Sequence, residues 1–259
     1  MEQDQPVRRD EPLKPSRSPF GLLLAAHGER HADADNAGVA RLARGLAAEG
    51  VAAEVGAGFI KGTPTVDEAI RALSSRDIVI YPLFLSDGYF TRVALPRLVE
   101  QARHQDAARK ISILSPLGLD PALGGLIADE ALSVALTHAI SPADTTVVLL
   151  AHGSKKDEAS RTAAEQMAEH VRQRRRFRDT RVALLEEAPS LVEATADVRG
   201  PVIVVGLFAG EGMHGANDAR RLVAELARSD MILIGPVGTF AGIASVIAAA
   251  VARHVLASV

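Results

Sequence analysis

Three residues in the second half of this chain have the chemistry to handle a metal ion and protons: His152, Glu186 and His214. Two imidazoles and a carboxylate are good ligands for a borderline divalent cation. Imidazoles also accept protons near neutral pH. His152 lies in LLAHGSKK (149–156), Glu186 in ALLEEAPS (183–190) and His214 in LFAGEGMHGAND (207–218). Each follows a short apolar run of the kind that forms a strand buried on both faces of a parallel sheet. The carboxyl ends of such strands all point the same way, and ligands of open α/β sheets bind there. Topology therefore puts the three residues on one rim. Spacing along the chain does not give their separation.

The first half repeats much of this. LLAAHGER (23–30) carries His27, 125 residues before His152. Pro64 in IKGTPTVDEA matches Pro189 in LEEAPSLVEA at the same offset. Phe84 and Gly88 match Phe208 and Gly212 at an offset of 124, and SPLG (115–118) matches GPVG (235–238) at 120. Anchors in one order at a nearly constant offset mark an internal duplication. The copies are unequal, because Lys61 stands where Glu186 would be and Phe90 where His214 would be. A lysine and a phenylalanine cannot replace two metal ligands, so the constellation survives in the second half alone.

Behind these residues the chain alternates strand-like and helix-like segments. Apolar β-type runs fall at 20–26, 78–85, 111–114, 146–151, 182–185, 202–208 and 231–234, with a weaker one at 53–60. Helical patterns such as NAGVARLARGLAAEG, TVDEAIRAL and ASRTAAEQMAEHVRQRRR lie between them. The fold class is α/β. The expected arrangement is two tandem similar domains, 19–141 and 142–259. Each would be a mainly parallel four-stranded sheet with helices on both faces, and a cleft would lie between them. Residues 1–18 are polar and proline-rich and read as a disordered tail.

Composition narrows the function. A net charge of -3 argues against a nucleic-acid partner. No cysteine is present, which excludes disulfides and thiolate metal sites. No apolar run reaches the roughly 20 residues of a membrane span, and no signal-peptide core is seen, so a cytoplasmic location is expected. GEGMHG (210–215) satisfies G-x-G-x-x-G, but it follows the third strand of its repeat and the next strand ends without a ribose-binding acid, so it is not read as a dinucleotide site. A Walker-type loop and a G-x-S-x-G elbow are both absent, so no nucleotide is expected.

The strand ending in AHGS, then LLEEAPSL, LFAGEGMHGAND and GPVG, resembles the sirohydrochlorin chelatase family (CbiX/SirB type) across about 20–259, in the long form where two copies are fused. The resemblance implies ATP-independent insertion of a divalent metal substrate, Co2+ or Fe2+ with Ni2+ as a further candidate, into sirohydrochlorin or a related tetrapyrrole. It assigns catalysis and metal binding to His152 and His214, with Glu186 as the acidic position. It also suggests that Ser154, Tyr89, Phe90 and Arg92 contact the ring, with Lys61 and Lys155 as further cations for its carboxylates. A monomer with pseudo-two-fold halves would suffice. The competing reading is a carrier on the same fold that binds metal or tetrapyrrole without turnover. An unrelated periplasmic-type binding protein is a third reading, opposed by the missing signal peptide.

Overall fold

The computed structural model describes residues 20–28, 36–210 and 214–258, with His214 described in its backbone only. The expected tail, 1–18, lies outside the described residues. The first half runs β1 (Phe20–Ala26), α1 (Asn36–Ala48), β2 (Glu54–Phe59), α2 (Val66–Ala72), β3 (Asp77–Pro82), α3 (Leu95–Gln105), β4 (Lys110–Ile113) and α4 (Pro121–Thr137). The second half repeats the order with β5 (Thr146–Ala151), α5 (Ala159–Arg172), β6 (Asp179–Leu184), α6 (Leu191–Thr195), β7 (Val202–Gly206), α7 (His214–Leu226), β8 (Met231–Ile234) and α8 (Ile243–Ala257). The sheets have orders β2-β1-β3-β4 and β6-β5-β7-β8, and every pairing is parallel. The duplicated α/β architecture expected from the sequence is present.

Local chemistry repeats with the topology. Thr65 caps α2 and its backbone N–H donates to Glu68 at 2.8 Å. Ser190 and Glu193 do the same for α6 at 2.7 Å. Each is a capping box, and the two lie 125 residues apart.

Alternation along the strands builds three cores. Leu23, Ala25, Ile78 and Ile80 face α2 and α3 on the outside of the first sheet. Val148, Leu150, Val202 and Val204 do so beneath α6 and α7. The opposite faces join one central core that holds Leu22, Leu24, Val79 and Tyr81 together with Val147, Leu149, Ile203 and Val205.

The last helices of the halves are exchanged across that core. α4 follows the first sheet but packs on α5 and β7, while α8 packs on α1 and β3. The GG pair of α4 permits this close approach. A Cβ on Gly124 would lie 2.5 Å from His170 Cβ, and one on Gly125 2.6 Å from an Arg174 guanidinium nitrogen. Asp120 caps α4 and also accepts a hydrogen bond from Arg253 of α8 at 2.8 Å. Each half thus lends its final helix to the partner sheet. Among the described residues no helix is long and apolar enough to cross a membrane.

One difference from the expected strands matters for the site. β3 and β7 stop at Pro82 and Gly206, short of the apolar runs that continue to 85 and 208. Leu83 and Leu207 still donate to Ala25 and Leu150 of the neighbouring strands, at 2.7 and 2.8 Å. The chain then leaves the sheet, and the Phe84 and Phe208 carbonyls accept from Gly118 and Gly238 at 2.9 and 3.1 Å. Those glycines lie against the backbones of Leu85 and Ala209, with no room for a Cβ. The SPLG and GPVG motifs therefore hold each strand exit, and the residues beyond it line a cleft.

Candidate active site

His27 and His152 stand one residue beyond β1 and β5. The following glycines adopt φ of +70° at Gly28 and +72° at Gly153, a region that L side chains rarely occupy. A Cβ there would also collide with the Lys61 carbonyl in the first half, and with Leu184 Cβ at 3.1 Å and Glu187 at 2.9 Å in the second. The His-Gly pair is a tight exit that turns each imidazole off the end of its strand. The chain just beyond the neighbouring strand grips that exit: the Lys61 backbone N–H donates to the His27 carbonyl at 2.7 Å, and the Glu186 backbone N–H to the His152 carbonyl at 3.0 Å.

Both imidazoles line one cleft of about 310 Å3 between the halves. Its wall includes Phe84 and Phe90 from the first half, and Ser154 and Phe208 from the second. Phe90 lies edge-on to His27, centroids 4.5 Å apart. Phe208 meets His152 in the same manner at 5.2 Å. Phe90 opens a π-helical turn, Phe90–Ala94, that runs into α3. The counterpart helix α7 begins at His214 and starts directly against His152. A Cβ on Gly215 would lie 2.6 Å from His152 Nε2. The fold thus brings the backbone of His214 beside His152, while its side chain lies outside the described residues.

The remaining expected residues divide between cleft and surroundings. Tyr89 lines the cleft and is 58% exposed, with its ring 5.6 Å from Phe90. Arg92 lines an adjoining depression and pairs with Asp87 at 2.9 Å. Lys61 is exposed, its Nζ 5.9 Å from the Phe90 centroid. Lys155 and Glu186 are exposed and are not among the cleft-lining residues. Among the described residues, which leave out the His214 side chain, no group of three His, Asp or Glu could hold a metal.

Sequence reasoning passed over the carboxylate that braces the His152 turn. Glu187 accepts from the Ser154 N–H at 3.0 Å and from Arg161 of α5 at 2.5 Å. Arg161 also donates to the Ala188 carbonyl, and Ser160 Oγ accepts from the Gly153 N–H at 3.1 Å. The Ser154 N–H first, and Arg161 after it, hold the Glu187 carboxyl below its usual range. The first-half position equivalent to Glu187 is Gly62, which carries no carboxylate. Neighbours on an extended segment project to opposite sides; the double acid EE carried no sign of which one turned inward.

Two parallel α/β sheets thus bring their carboxyl edges to one histidine-lined cleft. The CbiX family's sequence model matches residues 21–133 and again 146–254, and the chain belongs to that family. A curated relative is the "Probable sirohydrochlorin cobaltochelatase" of Halobacterium salinarum, 24% identical over 217 residues, which cover 76% of this chain and 74% of the relative.

Among solved structures, a multi-domain Deinococcus radiodurans protein with structural similarity to chelatases aligns with a TM-score of 0.78 and 25% identity. The match covers 92% of this chain and 55% of that longer one, which has two additional domains. CbiX, described as the terminal enzyme of siroheme biosynthesis in denitrifying bacteria, aligns with a TM-score of 0.71 and 29% identity, over 90% of this chain and 98% of its own. SirB from Bacillus subtilis with Fe3+ shares the fold at a TM-score of 0.76, with 16% identity over 90% of this chain and 94% of its own.

Proposed function

We propose that this protein inserts a divalent metal, Co2+ or Fe2+ with Ni2+ as a further candidate, into sirohydrochlorin or a related tetrapyrrole without a nucleotide. The carrying observation is the cleft between two CbiX-type halves, with His152 in its wall and the start of α7 packed against the imidazole. Metallation must remove two N–H protons as the cation enters the ring. An imidazole holds a borderline dication well, and a site with few protein ligands can release it to a stronger tetradentate ring. His152 and His214 are the proposed ligands, and Glu186, exposed and outside the cleft lining, is the acidic member of the proposed set. Supporting this, Glu187 accepts hydrogen bonds from the Ser154 N–H in the His152 turn and from Arg161.

A flat macrocycle suits a cleft walled by Phe84, Phe90 and Phe208. Ser154, Tyr89 and Phe90 would contact its faces, and Arg92 beside the mouth would meet its carboxylates. On this reading the enzyme works in the cytoplasm as a monomer, without nucleic acid. The test is insertion of Co2+ into sirohydrochlorin by purified protein without ATP, followed by the ring's absorbance. Undiminished activity in both His152→Ala and His214→Ala would sink the site assignment. Tight ring or metal binding with no insertion would instead establish a carrier.

A further inference from the structure

We propose that the depression beside Arg41 holds a carboxylate arm of the macrocycle and so fixes which edge of the ring faces α1. The inference rests on the chelatase reading above and deepens it. A cleft of about 310 Å3 is at the small end of ligand sites, which run from about 300 to 1,000 Å3. Sirohydrochlorin is a large ring fringed with carboxylate arms, so the arms must reach beyond the cleft. The structure continues the cleft on two sides. A depression of about 560 Å3 shares Leu83 and Ala209 with its wall, and one of about 530 Å3 shares Gly88, Tyr89 and Asp157.

The two depressions correspond through the duplication but differ in charge. The larger is lined by α1 of the first half and by residues 238–241 and 243 of the second. The smaller is lined by α5 of the second half and by residues 87–89 and 92–93 of the first. At the offset of 125, Arg41 on α1 matches Gln166 on α5, and each lines its own depression. Among the described residues Arg41 is the one titratable side chain lining the larger depression. The smaller carries Asp157 and Glu158 besides the Arg92–Asp87 pair. An anionic arm is repelled there and must compete with Asp87 for Arg92. No ion pair engages the Arg41 guanidinium among the described residues. Its planar fork of donors suits a carboxylate. Val39, Leu42, Leu117 and Phe240 line the same depression and offer an apolar wall for the methylenes that carry the acid. Ring and arm are thus placed by different surfaces, the cleft walls for the macrocycle and one cation for its edge.

The test measures the ring's Kd by fluorescence titration without metal, and KM and kcat for Co2+ insertion into sirohydrochlorin. It compares wild type with Arg41→Gln, Arg41→Lys and Arg44→Gln. Arg44 is the control, because it is an exposed cation of the same helix that lines a different depression. Arg41→Gln should weaken ring binding and raise KM by about fivefold or more, with kcat within about twofold of wild type. Arg41→Lys should recover part of the loss, and Arg44→Gln should match wild type. A ring with its carboxylates esterified should bind wild type and Arg41→Gln equally. Unchanged ring affinity and KM in Arg41→Gln would overturn the inference. So would an equal loss in Arg44→Gln, which would make the effect one of net charge, or a loss that persists with the esterified ring. A wild type that binds the ring but inserts no metal would sink the chelatase reading and leave the ring Kd to decide the role of Arg41. A wild type that binds no ring would overturn both.

Discussion

Replacing Gly215 by alanine should damage the site while leaving the fold intact. Gly215 lies in the first turn of α7, and a Cβ there would sit 2.6 Å from His152 Nε2, 2.8 Å from Cε1 and 2.6 Å from Phe208 Cε1. Carbon atoms in ordinary contact are about 3.5 Å apart, so a neighbour must retreat by about 1 Å. Phe208 is 3% exposed and wedged in the outer core. His152 faces the open cleft, and it is the group that yields. Misplacement of a reacting group by about 1 Å costs about a hundredfold in rate, or about 2.7 kcal/mol of barrier. Backbone propensity works the other way, since alanine is better than glycine in a helix by about 1 kcal/mol.

Gly215→Ala should therefore melt at or near the wild-type temperature while losing about a hundredfold in metal insertion. Gly45→Ala is the control, because its Cβ in α1 would meet nothing within 4 Å. It should be slightly more stable than wild type and fully active. Insertion by Gly215→Ala at the wild-type rate would refute the idea that α7 sets the position of the His152 ring.

Three further outcomes follow from particular contacts. Phe90→His puts an imidazole where a ring now meets His27 at 4.5 Å, and Co2+ titration should then find one more bound ion per chain; unchanged stoichiometry would break the equivalence of positions 90 and 214. Glu187 has a lowered carboxyl pKa in the folded state, so its stabilisation is complete above the unfolded value, about 4.3, and is lost as pH falls through the lower folded value. The gap in denaturation midpoint between wild type and Glu187→Gln should be steady near neutrality and close on acidification, and a gap that survives well below that range contradicts this origin. Asp120→Ala removes the cap of α4 and the tie to Arg253, and urea unfolding should show a loss of about 1–2 kcal/mol; Asp120→Asn, which can still cap, should lose less.

Much of this architecture is legible in the sequence because it is local. Leu22, Leu23 and Leu24 form an unbroken apolar run since β1 is covered on both faces. TPTVDE and APSLVE announce their helices because each capping box lies within four residues. The duplication is written in the chain, and so is the replacement of Glu186 and His214 by Lys61 and Phe90 in the first copy.

Tertiary structure decided what depends on contacts between distant segments. No periodicity shows that α4 crosses to β7 and α8 to β3, because an apolar helix face matches either sheet equally well. The pattern EE names two carboxylates, but only the path of the chain after β6 turns Glu187 onto Ser154 and Arg161 and leaves Glu186 in solvent. The same holds for the two histidines. Sequence put each at its own strand end, and the packing of the halves set His27 and His152 in the wall of one cleft. Residue type and spacing fix what a strand end can carry, whereas the docking of two sheets through a shared core fixes which strand ends face each other.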